Sequence, residues 1–260
     1  GIRDHCVTGV QTCALPILSG KVFGAEAQLV GAIQLETLEP GACDLQASLK
    51  GLAFEPEIYE IIPEAGQKIW DQYNPSGKFD FQIQATGDEF PPQVSEILLT
   101  LHETDGNYAP YPYPLRNIDG DLRYTPGLLE IDLQGGLPGS PVRARGSFEL
   151  ITGGKRHLLI EGYSIPIDDR VRTALGDRIA PYYDEYSPRG ITDLAITLER
   201  LRLGEPLDLK VIVKPTDASL SHYYFPYRID AVRGEIVFDI SRSEEHTSEL
   251  QSHSDLVCRL

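Results

Sequence analysis

Residues 111–124 read YPYPLRNIDGDLRY and residues 225–238 read FPYRIDAVRGEIVF, and this stretch, present twice, decides the predicted fold. The copies align without a gap, with Gly120 opposite Gly234, which gives a period of 114 residues. A fixed internal period indicates a repeat architecture and outranks local motifs. The matched pairs are Tyr111/Phe225, Pro112/Pro226, Tyr113/Tyr227, Leu115/Ile229, Ile118/Val232, Gly120/Gly234, Leu122/Ile236 and Tyr124/Phe238.

The period extends beyond this stretch, with the small changes in offset that loop insertions produce. LKGLAFEP at Leu49 recurs as IEGYSIP at Ile160, which places Gly51 opposite Gly162. The chain therefore looks cut from a longer array. Two further matches are WDQYNPSG at Trp70 with YDEYSPRG at Tyr183, and GAEAQLVGAIQL at Gly24 with GSPVRARGSFEL at Gly139.

The two ends of the chain differ in kind from the rest. Residues 6–17 (CVTGVQTCALPI) and 242–260 (RSEEHTSELQSHSDLVCRL) resemble translations of a DNA-sequencing adapter oligonucleotide. The two ends can be back-translated so that each is the reverse complement of the other, which natural termini have no reason to do. We therefore set 1–17 and 242–260 apart as adapter-derived. The rest divides into the end of a preceding repeat (18–45), a complete repeat (46–157) and a partial second repeat (158–241).

The chain is acidic, with 23 Lys and Arg against 39 Asp and Glu and a net charge of −16. The tails hold three Arg and five acidic residues, so the remainder carries −14. An acidic surface without basic clusters argues against a nucleic-acid partner. Cys43 is the only cysteine outside the tails, so no internal disulfide is expected. No apolar run approaches the roughly 20 residues that span a bilayer.

Alternating residues predict strands. Phe79, Phe81 and Ile83 alternate with polar residues, the period of a strand with one apolar face. Helices do not alternate with strands, so we expect an antiparallel sheet rather than a doubly wound parallel one. Turns are expected at residues 39–41 and 104–107. The other expected strands cover residues 22–35 (with breaks at Gly24 and Gly31), 45–52, 96–103, 115–124, 128–134, 141–150, 158–163, 193–198, 207–213 and 229–240.

Each repeat also carries one short helical stretch with an apolar stripe. Pro63 interrupts the first stretch and Pro181 the second, so we expect a kinked helix or two short helices in each place. Trp70 and its counterpart Tyr183 should be buried under the sheet. The stripe residues are Ile58, Ile61, Ile62, Ile69, Trp70 and Tyr73 in the first stretch, and Val171, Ala174, Leu175, Ile179, Tyr182, Tyr183 and Tyr186 in the second.

The order of these motifs resembles the AsmA-like family and its TamB relatives, most closely the long repeat-bearing members of bacteria such as planctomycetes. The resemblance covers nearly all of residues 18–241. It rests on a helix ending in W/Y-x-x-Y-x-P-x-G, an alternating strand, and an aromatic-Pro-Tyr segment with a later glycine. The positions are Trp70, Tyr73, Pro75, Gly77, Pro112, Tyr113 and Gly120, then Tyr183, Tyr186, Pro188, Gly190, Pro226, Tyr227 and Gly234.

The resemblance implies a mainly β protein with short helices, whose tandem repeats form an elongated, curved antiparallel sheet with an open apolar groove. It further implies a periplasmic protein anchored to the inner membrane by an N-terminal helix missing from this sequence. The implied function is to bind or conduct phospholipid between the inner and outer membranes, and the implied partners are phospholipid acyl chains and those two membranes.

The lipid-binding residues would lie on the alternating apolar faces. Such faces equally suit packing against a helix or a second sheet, as in a sandwich, so the pattern alone leaves the choice open. The alternative function is a non-catalytic structural or adhesive β-repeat of the cell envelope. The expected lipid-binding residues are Phe79, Phe81, Ile83, Leu129, Ile131, Leu133, Leu194, Ile196 and Leu198.

No catalytic residue, metal ligand or cofactor is predicted, and the chain is not expected to be an enzyme. The histidines outside the tails lack the spacing of a zinc site. The glycine-rich residues 135–139 precede no helix, so they indicate a loop rather than a phosphate cradle. Asp168 and Asp169 suit a helix start. Other residues weighed were His102, His157 and His222 for metal, Asp119 and Asp121 for calcium, and Tyr111, Tyr113, Tyr223 and Tyr224 for sugar stacking.

The origin of the two ends is testable at the gene. We expect long-read sequencing of the locus to lack the codons for residues 1–17 and 242–260, because adapter sequence does not belong to the genome. Genomic codons for these residues would contradict this expectation.

Overall fold

A computed structural model describes residues 10–36, 39–88, 91–109, 113–174 and 176–241 of the chain. They form 13 strands and four helices. In chain order these are β1 (Val10–Val22), β2 (Ala25–Glu36), β3 (Glu39–Ala53), α1 (Pro56–Ile61), α2 (Glu64–Tyr73), β4 (Ser76–Gly87), β5 (Gln93–Asn107), β6 (Pro114–Thr125), β7 (Leu128–Leu137), β8 (Ser140–Glu149), β9 (Arg156–Ile167), α3 (Asp169–Ala174), α4 (Gly176–Tyr186), β10 (Arg189–Arg200), β11 (Asp208–His222), β12 (Phe225–Val232) and β13 (Ile236–Ser241).

All the strands belong to one open antiparallel sheet. Strands β1 to β12 lie side by side in chain order, and β13 pairs with β11 beside β12. Every neighbour in the sheet is a neighbour in sequence or nearly so, which is what short hairpin connections produce. The mainly β, antiparallel fold predicted from the alternating residues is confirmed.

Two parts of the chain carry the same order of elements. A helix pair follows β3 and another follows β9, and each leads into an alternating strand. Gly24 and Gly139 occupy the turns that precede β2 and β8. The tandem-repeat interpretation and the repeat boundaries remain predictions.

Several β-bulges interrupt the ladders, and four of them share one hydrogen bond and keep residues that are three apart on the same face. On β3, Leu49 pairs with Phe81 and Leu52 with Phe79, so one extra residue lies between them. Gly51 has a positive φ, and its N–H donates to the Asp80 carboxylate at 2.7 Å. A bulge keeps both leucines on one face, where strict alternation would separate them. The same contact joins the N–H of Glu103 to Asp119, of Asn117 to Asp105, and of Ser164 to Asp193, at 2.8–3.0 Å.

The bulge of β9 lies at Ser164, so the sequence match of Gly51 with Gly162 is displaced by two residues. Ser164 is 113 residues after Gly51, and Asp193 is likewise 113 residues after Asp80. Gly162 instead faces the Ile165 side chain, where an added Cβ would lie 3.0 Å from Cγ1. Glycine was a misleading marker because serine also adopts the bulge conformation here.

Several expected boundaries are wrong. Residues 104–107 form no turn: they continue β5 through its bulge, since the polar and glycine residues there bend the strand without reversing it. Residues 39–41 begin β3 instead of forming a turn. The expected break at Gly24 is confirmed by the turn between β1 and β2, whereas the break expected at Gly31 is wrong, because β2 continues through it. The expected strand 229–240 is split into β12 and β13. Residues 135 and 136 belong to β7, not to a loop.

The two copies of the opening stretch differ in structure at Gly120 and Gly234. Gly120 has φ +127, and an added Cβ would lie 2.2 Å from the Asp132 carbonyl oxygen on β7, so the two backbones approach closely there. Gly234 has φ +151 with no atom within 4 Å of an added Cβ. Strand β6 pairs with β7 on its outer side, which holds it straight through Gly120. No described strand pairs with the outer side of β12 and β13, and the strand is interrupted around Gly234.

The first helical stretch forms two helices, as predicted, with Pro63 before α2. The second also forms two, but they meet next to Gly176, and Pro181 lies inside α4. The expectation of two helices is confirmed here too, but the break does not lie at Pro181, because a helix can continue past the one backbone donor that proline lacks. A kink of α4 at Pro181 remains a prediction. Tyr183 is buried, as predicted, whereas Trp70 is only partly buried.

Beyond buried positions such as Ile165 on β9, Tyr183 on α4 and Ala218 on β11, one apolar cluster forms a core below α1 and α2. Its members are Ala25, Leu52, Ile58, Phe79 and Leu101, and Trp70 packs against them from α2. The Trp70 ring meets Phe54 edge-on, with centroids 5.1 Å apart. The stripe is narrower than predicted, because Ile61, Ile69 and Tyr73 are exposed.

Residues 10–17 pair with β2 as part of β1, which does not bear on their origin. Residues 1–9 and 242–260 lie outside the described part of the chain, as do Tyr111, Pro112 and Leu175.

The two isoleucines of α1 test this packing. Ile58 is 5% exposed and Ile61 is 63% exposed on the same helix. We expect Ile58→Ala to lower the free energy of unfolding by about 2–5 kcal/mol, because it leaves a cavity under the helix. Ile61→Ala should change it by less than about 0.5 kcal/mol. Chemical denaturation of both variants measures the difference, and equal effects would mean that α1 does not pack on the sheet.

Candidate functional site

One row of directly paired residues crosses ten strands, from β2 to β11. Directly paired residues of antiparallel strands lie on the same face of a sheet. Every member of this row is apolar or glycine, and we call it the central row. It consists of Ala27, Leu49, Phe81, Leu99, Leu122, Ile131, Gly146, Leu158, Leu198 and Leu209.

Two parallel rows on the same face flank the central row. The helix-side row, nearer the helices, contains Leu52, Phe79, Leu101, Gly120, Leu133, Ala144, Ile160, Ile196, Val211 and Phe238. The distal row contains Leu18, Leu29, Ala47, Ile83, Ile97, Tyr124, Leu129 and Phe148, followed by Arg156 and Arg200. We call the face that carries the three rows the apolar face.

All nine residues predicted from the sequence as lipid-binding lie on the apolar face. Phe81, Ile131 and Leu198 belong to the central row. Leu194 lies one step beyond the helix-side row, opposite Val213. Phe79 differs from the rest because it is buried below α1 and α2. The others are Ile83 and Leu129 in the distal row, and Leu133 and Ile196 in the helix-side row.

The central row is not covered in the described part of the chain. The four helices are the only described elements outside the sheet, and α1 and α2 cover Phe79 and Leu101 of the helix-side row. All members of the central row keep part of their surface exposed, and no large described side chain is fully buried. A sandwich would have closed this face with a second sheet.

The opposite face of the sheet is mostly polar and carries cross-strand pairs of opposite charge. Arg143 donates to Asp132 at 3.1 Å, and Arg145 pairs with Glu161 at 3.3 Å. These side chains are about half exposed, so each pair adds little stability. Their effect is to keep this face in water, which leaves the apolar face as the one that can take an apolar ligand. Further contacts are Arg123 with Glu96, Thr100 with Asp121, His102 with Asp80, and His157 with Glu199.

The second helix pair is joined by an ion pair and tied to β11. Arg172 Nε and Nη2 each donate to the Asp184 carboxylate at 2.6 Å, and the guanidinium holds the pKa of that carboxyl below its usual value. His222 Nε2 on β11 lies 3.1 Å from Glu185 Oε1 on α4. Tyr183, which belongs to α4, is buried, and burial raises the pKa of its hydroxyl.

The polar residues weighed as metal or calcium ligands have protein partners. Each histidine meets a single carboxylate: His102 meets Asp80, His157 meets Glu199, and His222 meets Glu185. No group of three His, Cys, Asp or Glu that could hold a metal occurs among the described residues. The weighed aspartates contact protein groups: Asp119 the Glu103 N–H, Asp121 Thr100, Asp168 Arg170, and Asp169 Arg189.

Arg156 and Arg200 were missed by the reasoning from sequence. Both continue the alternation of the apolar face: Arg156 precedes Leu158, and Arg200 follows Leu198. The available signal was an arginine, on each of two strands, at a position where the alternation of the strand requires an apolar residue. Its significance depends on the pairing of β9 with β10, which the sequence did not provide.

No described helix combines the length and the apolar character that crossing a bilayer requires. Comparison of the chain with protein-family models, with curated proteins and with solved structures finds no match.

Thiol labelling tests whether the apolar face is open. In a background with the native cysteines replaced by serine, we expect Ile131→Cys to react with a maleimide nearly as fast as Ile61→Cys on exposed α1. Leu52→Cys, below the helices, should react far more slowly, because its side chain is 3% exposed. If Ile131→Cys reacts as slowly as Leu52→Cys, a further layer covers the central row.

Proposed function

We propose that this chain is part of an AsmA-like periplasmic protein that binds or conducts phospholipid along its apolar face. The observation that carries the proposal is the central row, which is continuous over ten strands and uncovered. An exposed apolar surface of this extent marks a site of interaction on most soluble proteins. In this proposal acyl chains are the occupant, and no catalytic residue takes part.

The dimensions of the face suit acyl chains. Ten strands about 4.8 Å apart span roughly 43 Å. One leaflet of a bilayer has an apolar thickness of about 15 Å, half of the 30 Å core. The face is therefore long enough for chains at successive positions. Each CH₂ removed from water contributes about 0.8 kcal/mol, so a chain gains stability along the row without any specific polar contact.

The repeated order of elements supports an extended array. Strands β1–β6 with the first helix pair correspond in order to β7–β13 with the second. The bulges at Gly51 and Ser164, which occupy the same place in this order, each have an aspartate on the following strand as acceptor. Tandem repeats of this unit would lengthen the apolar face into a curved open groove. The inner and outer membranes, and an anchoring helix, would be reached through parts of the protein outside this sequence.

A structural or adhesive role is the second candidate, and the end of β11 favours it. Tyr223 and Tyr224 are highly exposed, with ring centroids 5.0 Å apart, and Tyr227 nearby is also exposed. Exposed tyrosines are frequent at binding surfaces because the ring is apolar and the hydroxyl forms hydrogen bonds. An adhesive protein would use these residues and leave the central row without a ligand.

Photo-crosslinking separates the two candidates. We expect photoreactive side chains at Phe81 and Ile131, both in the central row, to crosslink to phospholipid that co-purifies with an extended array. Matched probes at Gln82 and Glu130, which neighbour Phe81 and Ile131 on the opposite face, should not. Mass spectrometry of the extracted lipid and the crosslinked peptides provides the measurement. Crosslinks to protein alone at both apolar positions, with no co-purifying lipid, would favour the structural or adhesive role.

Ile131→Asp is the matching functional variant. A carboxylate in the middle of the central row is costly to desolvate against acyl chains. We expect it to abolish lipid co-purification while backbone pairing, followed by circular dichroism, is preserved. Glu130→Gln provides the control, since its side chain lies on the polar face. Equal lipid content in both variants would contradict the proposal.

A further inference from the structure

Two arginines end the apolar face at the side of the sheet away from the helices. In the distal row, Phe148 on β8 pairs with Arg156 on β9, and Arg156 pairs with Arg200 on β10. The next residues inward on this face are Leu158 and Leu198 of the central row. Two guanidinium groups therefore lie side by side at the border of an apolar surface.

The two arginines have no acidic partner in the described part of the chain. The Nε atoms of Arg156 and Arg200 are buried without a hydrogen-bond partner, and Arg200 Nη1 donates to the Gly154 carbonyl at 3.4 Å. Like charges placed directly opposite destabilise a sheet, and a buried donor without an acceptor is costly. An anion shared by the two guanidinium groups removes both costs.

Nearby carboxylates are directed elsewhere. Glu199, the residue before Arg200, lies on the polar face and pairs with His157 at 3.0 Å. Glu149 accepts a hydrogen bond from the Lys155 N–H at 2.8 Å, and Glu205 pairs with Arg202 at 3.3 Å. The anion that the arginine pair lacks is therefore not supplied by these neighbours, which points to a ligand.

The loops beside the arginine pair add exposed apolar residues. The Gly204 N–H donates to the Gly153 carbonyl at 2.9 Å, so the loop after β8 touches the loop after β10. Cationic groups beside exposed apolar side chains match the boundary between the headgroup and the tails of an amphiphile. The exposed apolar residues are Leu150, Ile151, Leu201 and Leu203.

We infer that Arg156 and Arg200 bind the phosphate of a phospholipid headgroup whose acyl chains lie on the central row. Guanidinium groups offer paired N–H donors that match phosphate oxygens, and the unpartnered Nε atoms supply such donors here. This inference rests on the proposed function and adds to it a fixed place for the headgroup. It predicts selection for phosphate-bearing lipids over neutral ones.

Three soluble probes test the inference on the full chain: a short-chain phosphatidic acid, the diacylglycerol with the same chains, and inorganic phosphate. We expect the unmodified protein to bind the phosphatidic acid about tenfold or more tightly than the diacylglycerol, as charge-assisted hydrogen bonds to phosphate imply. The double variant Arg156→Gln/Arg200→Gln should lose this preference. Arg145→Gln on the polar face of β8 should keep it. The Nε–H NMR signals of Arg156 and Arg200 should shift with phosphatidic acid.

Each contrary outcome has a defined meaning. An unchanged preference in the double variant, or an equal loss in Arg145→Gln, overturns the assignment of the headgroup site. Shifts of the two Nε–H signals with inorganic phosphate, without a preference for the phosphatidic acid, replace the headgroup by free phosphate and likewise overturn it. If neither lipid binds, the proposed function fails, and the inorganic phosphate titration still decides whether the pair is an anion site. Thermal unfolding of the double variant confirms folding, and we expect no loss because a like-charge pair is removed.

Discussion

The structure depends on the register of its antiparallel strands. Because side chains alternate, a slip of one residue would move every apolar side chain of a strand to the polar face. The apolar face stays continuous over ten strands only because each register is kept, and the bulges restore the phase where spacing changes from two residues to three. Aspartate carboxylates that accept the N–H of Gly51, Glu103, Asn117 and Ser164 hold these bulges.

The same constraint leaves the molecule with an unusual distribution of apolar surface. One face of the sheet is mostly polar and carries cross-strand ion pairs. The helices cover only one border of the other face. In a globular domain a second layer would complete the core. Here the described part of the chain contains no such layer; in the proposed function an amphiphile would supply the missing apolar surface and keep its charged group at the border. The unpaired arginines stand at that border, opposite the helices.

Much of the fold could be predicted from the sequence, because the alternation of apolar and polar residues is a strong local signal of a strand. Strand existence followed from it, the antiparallel arrangement followed from the order of strands and helices, and the two helices around Pro63 followed from a helical spacing interrupted by proline. The bulges could not be located: residues 104–107 look like a turn, and only the partner strand decides that the chain continues. The break of the second helical stretch was misplaced at Pro181, because a helix can continue past one missing backbone donor. The nine apolar residues were found on one face, but the cover over Phe79 and the juxtaposition of Arg156 with Arg200 depend on contacts between distant segments.

Lipid binding on the apolar face is tested most directly by measuring which isoleucine methyl groups contact bound phospholipid. In protein that is deuterated except for ¹³C-labelled isoleucine δ1 methyls, and bound to protonated phospholipid, intermolecular NOEs report which methyls touch acyl chains. Lipid bound on the apolar face should give NOEs from Ile131, Ile83 and Ile196 to acyl CH₂ protons, and none from Ile58, the buried residue of α1. NOEs absent from Ile131, Ile83 and Ile196 while lipid is bound would contradict it, because the lipid would then lie somewhere other than on the apolar face.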